Sequence, residues 1–246
     1  MTQVDLAPGA GCMLLETVIL GRLAMGETLR RLHLRDRRIV RRQGRLLHHD
    51  TLALDDAALR ALHTETPLVD GDAVIDDGLG FSVDLRLPGT TLVGYRAKPH
   101  TGVIDLDNIG HYAPADFWEE VHSDNGQIIL DPGAFYILVS REAVTIPPEF
   151  AAEMAPYLAM VGEFRVHYAG FFDPGFGHAT AGGAGSRGVL EVRCHEAPFV
   201  LEHGQIVGRL IYEKMSEIPT QLYGAGIASN YQGQGLKLSK HFHAPG

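Results

Sequence analysis

Residues 81–87 read Phe-Ser-Val-Asp-Leu-Arg-Leu, with apolar and polar side chains in strict alternation. A period of two is typical of a β-strand that buries one face. The stretch 127–139 is another apolar run, broken at Pro132-Gly133, and residues 189–194 alternate again. Asp-Pro-Gly, Pro-Pro and Gly-x-Gly turns recur between these runs. The pattern predicts an all-β fold, either a sandwich or a barrel.

One segment has helical spacing instead, residues 55–65. Asp55 or Asp56 can cap this helix, and Leu59 and Leu62 fall on one of its faces. Pro67 is expected to end it. Nearer the N-terminus, residues 13–34 hold two short apolar runs, which predict two strands and a turn.

The composition limits the classes of function. The 246 residues include 30 acidic and 21 basic side chains, a net charge of −9. This excess of acid argues against a general nucleic-acid binder, which must neutralise phosphates, but a nucleotide substrate needs only a few local cations. Two cysteines, Cys12 and Cys194, cannot build a disulfide framework or a cysteine-rich zinc site.

Localisation signals are weak. The apolar stretch 11–25 is interrupted by Glu16 and Arg22 and is too short to span a bilayer. No charged segment precedes it, as it would in a signal peptide. We therefore predict a cytoplasmic protein with no membrane association.

The arginine-rich stretch 30–45 is either a phosphate- or RNA-binding arm or a solvated strand edge, and the lack of interleaved aromatic residues favours the strand edge.

Several catalytic classes lack their residues here. A zinc base deaminase needs His-x-Glu and Cys-x-x-Cys, and neither is present. The glycine-rich stretches 182–186 and 224–226 do not lie between a strand and a long helix, as a dinucleotide-binding turn requires. Carboxylate chemistry remains. Asp173 follows an apolar strand, and Glu191 lies within one, where it faces either solvent or a pocket suited to proton transfer with water.

Six ordered motifs across residues 70–243 resemble the dCTP deaminase / dUTPase family. They are residues 81–87 (FSVDLRL), 130–147 (LDPGAFY followed by REAVTIP), 169–177 (AGFFDPGFG), 189–191 (VLE), 203–211 (HGQIVGRLI) and the tail, with Tyr223, 230–235 (NYQGQG) and 238–240 (LSK). The resemblance implies a distorted β-barrel of the dUTPase-like (β-clip) type with few short helices. It also implies trimers with active sites between subunits.

The family's activity is conversion of dCTP to dUTP and ammonia without protein-bound zinc, with Mg²⁺ held by the triphosphate. Carried onto this sequence, the resemblance makes Glu191 the general base that activates water and places Asp173 at the deoxyribose 3′-OH. The other residues that it implies in substrate binding are Ala169, Gly170, Phe171, Phe172, Tyr223, Asn230 and Gln234. Asn230 stands where the family has a phosphate-binding lysine.

The sequence departs from the family at the phosphate site. Where relatives carry Arg-Ser-Ser-x-x-Arg, residues 155–160 read Ala-Pro-Tyr-Leu-Ala-Met, which offer no charge-assisted hydrogen bonds. A two-lobed subclass could supply this half-site from its first lobe. Residues 14–32 echo residues 189–210, so we divide the chain into 1–45 (the remnant of a first lobe, or an N-terminal extension), 46–69 (a helical linker) and 70–246 (the deaminase-like lobe).

Three functions remain in view. The leading one is dCTP deamination. dUTP pyrophosphatase chemistry is disfavoured, because there an Asp of a different motif activates the water. The third is a non-catalytic lobe for assembly or nucleotide sensing. The expected partners are dCTP and other copies or lobes of the fold, as a trimer or a two-lobed pseudo-oligomer.

Overall fold

A computed structural model describes residues 2–8, 38–42, 45–50, 54–156, 164–166, 170–215, 217–224, 233 and 235–243. Strands dominate these residues, as the sequence predicts. In chain order they are β1 (Thr2–Leu6), β2 (Arg38–Arg42), β3 (Arg45–Asp50), β4 (Leu79–Ser82), β5 (Leu92–Ala97), β6 (Trp118–His122), β7 (Gln127–Leu130), β8 (Phe135–Val144), β9 (Phe150–Pro156), β10 (Phe164–Val166), β11 (Phe171–Phe172), β12 (Ser186–Cys194), β13 (Phe199–Glu202) and β14 (Ile206–Lys214).

Two compact units divide the chain. One comprises residues 1–53 and 214–217, and the other comprises residues 54–213 and 218–246. In the first unit, β1 pairs parallel to β2, and β2 pairs antiparallel to β3. The apolar runs predicted as strands at 13–34 lie outside the described residues.

The predicted helix forms as α1 (Asp56–Glu65). Asp55 is its N-cap, and the Asp55 Oδ1 accepts the Ala58 N–H at 2.9 Å. Leu59 is buried and Leu62 packs against the same core. Because Leu59 and the following Leu68 belong to this core, the larger unit begins at Leu54, whereas the sequence placed the start of the lobe at residue 70. A second helix, α2 (Pro114–Phe117), is one turn long.

The larger unit is built from antiparallel strands. One sheet has the order β10-β12-β8-β5-β6, a second has the order β11-β9-β14-β4, and a ribbon pairs β13 with β7. A bridge from Val83 to Ser140 joins the end of β4 to β8, so the two larger sheets are linked at that edge. The main core lies inside, with Phe81, Tyr136 and Tyr212 among its largest fully buried side chains.

The stretch 81–87 differs from its predicted pattern. The strand β4 ends at Ser82, and residues 79–85 are all buried, including Ser82 and Asp84. Both polar side chains are satisfied internally. The Ser82 Oγ donates to Glu142, and Asp84 forms an ion pair with Arg187. The alternating stretch is therefore the end of a strand and the segment after it, buried on both faces as far as residue 85, with its polar positions used for internal bonds.

The glycine-rich segment before β12 is a compact turn. A short 3₁₀ helix covers Ala179–Ala181, and the Gly185 N–H donates to the Gly177 carbonyl at 2.8 Å. No helix among the described residues is long and apolar enough to cross a membrane.

Candidate active site

Glu191 lies on the outward face of β12. The alternation of the strand buries Leu190 and Val192 in the main core and leaves Glu191 exposed. Of the two orientations that the sequence allowed, the isolated chain shows the exposed one.

The register of β12 is set by a bulge in β8. Arg187 pairs with Ala143 and Val189 pairs with Val139, so the three residues 140–142 of β8 lie opposite the single residue Gly188 of β12. The Ser140 Oγ closes this bulge by donating to the Glu142 carbonyl and accepts the Gly188 N–H, both at 2.8 Å. These bonds hold β12 in register just before Glu191.

A buried ion pair holds the same end of β12. Asp84 is 3% exposed. Its Oδ2 lies 2.6 Å from the Arg187 Nη1, and its Oδ1 accepts the Arg86 N–H at 2.9 Å. Arg187 lies four positions before Glu191, on the same face of the strand. One nitrogen of its guanidinium is already bound to Asp84.

A row of paired residues crosses four strands beside Glu191. Glu120 pairs with Tyr95, Tyr95 with Ile137, and Ile137 with Glu191. Tyr95 is 6% exposed, and both Tyr95 and Ile137 belong to a second, outer apolar cluster. Burial, and then the Glu120 carboxylate, raise the pKa of Tyr95 above its ordinary value. The neighbours of Glu191 on this row are therefore uncharged near neutral pH, apart from Glu120 at its far end.

Arg193 is the next outward residue of β12. Its guanidinium carbon lies 4.7 Å from the centroid of the Phe135 ring. The Phe135 ring in turn contacts Trp118, with centroids 6.1 Å apart. Sequence reasoning missed Arg193, although it follows Glu191 at the spacing of two that places strand residues on one face.

Asp173 begins a tight turn after β11. Its carbonyl accepts the Phe176 N–H at 3.1 Å, and the Gly175 N–H donates to the Ile146 carbonyl. Gly175 has φ +94°, and Gly177 lies so close to the Val144 carbonyl that an added Cβ would be 2.2 Å from its oxygen. The glycines of the Asp-Pro-Gly-Phe-Gly motif are thus required by backbone shape and close packing.

Tyr223 joins the Asp173 turn. The Tyr223 N–H donates to the Pro174 carbonyl at 2.9 Å, and its ring lies 5.6 Å from that of Phe176. Phe172 is buried against Phe176, whereas Phe171 is 65% exposed. Of the predicted binding residues, Asp173, Phe172 and Tyr223 are therefore brought together.

Glu191 is not joined to that group by any described contact. Phe172 approaches β12 from the core side, at Gly188, whereas Glu191 points outward. Gly170 contacts β9, where its carbonyl accepts the Met154 N–H at 3.0 Å. Ala169, Asn230 and Gln234 lie outside the described residues, so their predicted roles stay predictions.

No cluster of three His, Cys, Asp or Glu side chains suited to a metal ion occurs in the described part of the chain. The predictions of a zinc-free reaction and of magnesium carried by the nucleotide remain predictions.

Comparison with known proteins divides the chain in two. A family model for the C-terminal domain of 2′-deoxycytidine 5′-triphosphate deaminase matches residues 55–242. A model for the UreD urease accessory protein matches residues 1–74. The start of the first match agrees with the compact unit that begins at Leu54.

The N-terminal relatives are accessory proteins. The chain is 76% identical to the urease accessory protein UreD of Paracoccus denitrificans over 62 residues. The match covers 25% of this chain and 22% of that protein.

The relatives of the larger unit are deaminases. The crystal structure of 2′-deoxycytidine 5′-triphosphate deaminase from Agrobacterium tumefaciens matches with a TM-score of 0.63 and 54% identity, over 68% of this chain and 51% of that chain. A dCTP deaminase, dUMP-forming, of Beutenbergia cavernae is 33% identical over 120 residues, covering 47% of this chain and 57% of that protein.

The chain thus spans about half the length of these deaminases and about a fifth of the accessory proteins. The predicted resemblance and the dUTPase-like, all-β fold are confirmed. Through residues 55–242, this chain belongs to the 2′-deoxycytidine 5′-triphosphate deaminase family, whose named members are hydrolase-type enzymes.

Proposed function

We propose that this chain provides the catalytic-base lobe of a dCTP deaminase, which converts dCTP and water to dUTP and ammonia. The observation that carries the proposal is the position of Glu191. Within a lobe of the deaminase family, it is an exposed carboxylate on a strand held by the Ser140 and Asp84 bonds. A rigid strand is a suitable support for a general base, because a base works only at hydrogen-bond distance from its proton.

In the proposed reaction, Glu191 takes a proton from a water molecule while that water attacks C4 of cytosine. The carboxylate then returns the proton to the amino group, which leaves as ammonia. Asp173 would bind the 3′-OH and Tyr223 the phosphates. Since Glu191 and the Asp173 turn lie on different sides of β12, we also propose that another copy or lobe completes the site.

Magnesium would enter with the nucleotide, where it neutralises part of the phosphate charge.

The test is incubation of the purified chain with dCTP and Mg²⁺ while ammonia release and the loss of cytosine absorbance are followed. Glu191→Gln keeps the shape of the side chain but not its basicity, so we expect turnover to fall by at least 10²-fold. Glu196→Gln, in the exposed turn after β12, is the matched control and should leave turnover unchanged. Full activity of Glu191→Gln would show that Glu191 is not the general base. Nucleotide binding without ammonia release would favour the non-catalytic lobe.

A second candidate concerns the product. Relatives from Beutenbergia cavernae and Clavibacter michiganensis are named dCTP deaminase, dUMP-forming. If this chain shares that activity, chromatography of the reaction should show dUMP and pyrophosphate instead of dUTP.

For the N-terminal unit, we infer an extension related to urease accessory proteins and not the remnant of a first lobe. The support is the 76% identity to a UreD protein, which the echo between residues 14–32 and 189–210 does not match in strength.

A further inference from the structure

Arg193 is an exposed cation next to the proposed base. It follows Glu191 by two positions on the outward face of β12, so the two Cα atoms are roughly 6.6 Å apart. The residues that resemblance assigns to the triphosphate do not include it. The segment expected to hold the phosphates, residues 155–160, carries no cation.

The side chain of Arg193 is held by a cation–π contact. Its guanidinium lies over the Phe135 ring at 4.7 Å from the centroid, and Phe135 is backed by Trp118, which packs on Phe242. A cation–π contact uses no hydrogen bond of the guanidinium, so it leaves the N–H groups available to a ligand. Such an arrangement loses little rotamer entropy on binding a second group at its edge.

The charge of Arg193 has no acidic partner among the described residues. The arginines for which the structure shows ion pairs are Arg60, Arg96, Arg187 and Arg209. Arg187, which shares the outward face of β12, is neutralised by Asp84. Within the part of the chain that the structure describes, Arg193 is thus a cation of this face that forms no ion pair.

We propose that Arg193, held on Phe135, binds a phosphate group of the nucleotide whose base is presented to Glu191. Phosphate accepts two parallel N–H bonds from one guanidinium edge, so a guanidinium held on an aromatic ring suits a polyphosphate better than a neutral ligand. The inference rests on the proposed function for the identity of the nucleotide. The binding of a polyphosphate at Arg193 can be measured without turnover.

The direct experiment is calorimetric titration of the full chain with tripolyphosphate. The variants are Arg193→Ala, Arg193→Lys and, as control, Arg141→Ala, which removes an exposed arginine of β8. We expect Arg193→Ala to weaken binding at least tenfold and Arg193→Lys to weaken it less, because lysine keeps the charge without the fork. Arg141→Ala should bind like the wild type. Wild-type affinity in Arg193→Ala, or no binding to the wild type, would overturn the inference.

Kinetics separate this inference from the proposed function. In Arg193→Ala, KM for dCTP should rise at least tenfold, while kcat/KM for deoxycytidine, which has no phosphates, should stay unchanged. An equal loss with both substrates would mean that Arg193 has a structural role. A wild-type chain that binds tripolyphosphate through Arg193 but releases no ammonia would refute the deaminase activity and keep the subsite.

Discussion

At the scale of single residues, the lobe satisfies its buried polar groups with specific partners. Tyr212 is fully buried, and its hydroxyl donates to the Thr145 carbonyl at 2.9 Å. Burial raises the pKa of Tyr212 above its ordinary value, so this hydroxyl stays protonated and remains a donor. Removing the hydrogen-bond partner of a buried polar group lowers the free energy of unfolding by a measurable amount.

Tyr212→Phe should lower the free energy of unfolding by about 1–3 kcal/mol, because it leaves the Thr145 carbonyl without its donor. Urea unfolding followed by circular dichroism would measure the change. An unchanged unfolding midpoint would show that water replaces the lost donor.

Asp56 makes stability depend on pH. Its carboxylate accepts the N–H groups of Asp77 and Gly78 at 3.0 and 3.1 Å. These two bonds lower the pKa of Asp56 below its ordinary value. A lowered pKa in the folded state means that the carboxylate stabilises the fold above its unfolded pKa. That contribution is lost as the pH falls through the lower, folded value.

The wild type should therefore lose more stability than Asp56→Asn on acidification from pH 7 to below about pH 4. Urea midpoints of both proteins across this range would test the prediction. Parallel curves would show that the bonds to Asp77 and Gly78 do not favour the charged form.

At the scale of elements, β12 combines a packing face with an exposed outward face. Its core face holds Gly188 against the Phe81 ring, where an added Cβ would lie 2.4 Å from the ring Cζ. Phe81 is fully buried and cannot move aside easily.

Gly188→Ala should therefore destabilise the lobe by about 1–3 kcal/mol through overpacking. Gly102→Ala is the control, because nothing lies within 4 Å of an added Cβ there. Urea unfolding of both variants gives the comparison. Equal midpoints for the two variants would contradict the packing at Phe81.

The elements were largely predictable, because their signals are local. The cap at Asp55, the break at Pro132-Gly133 and the alternation of residues 189–194 each reside in a few neighbouring positions. The site was only partly predictable. Tyr95, Ile137 and Glu191 meet through cross-strand register, which depends on contacts between distant segments. The contact of Arg193 with the Phe135 ring arises from the same register, so no short window of sequence contains it.

At the scale of the whole molecule, the compact unit begins at Leu54 and the family match begins at Asp55, one residue later. The buried residues of the main core all lie between Leu59 and Tyr212. Each unit thus has its own internal contacts, and the deaminase-like unit holds every described residue of the candidate site.

A chain that begins at Leu54 should fold and keep the dCTP turnover of the full chain. Circular dichroism, urea unfolding and the ammonia assay would test both parts. Loss of cooperative unfolding would show that residues 1–53 are needed by the lobe. Retained folding with lost turnover would assign the N-terminal unit a role in the reaction.

The alternation of β12 has a consequence for how the lobe can change over evolutionary time. Substitutions at Leu190 or Val192 are limited by the packed core, whereas Glu191 and Arg193 contribute nothing to that core. Selection can therefore alter the chemistry of the outward face without a loss of folding. A lineage that no longer needs turnover can keep a sound fold while the outward residues drift, and one that acquires a new substrate can do so on the same strand.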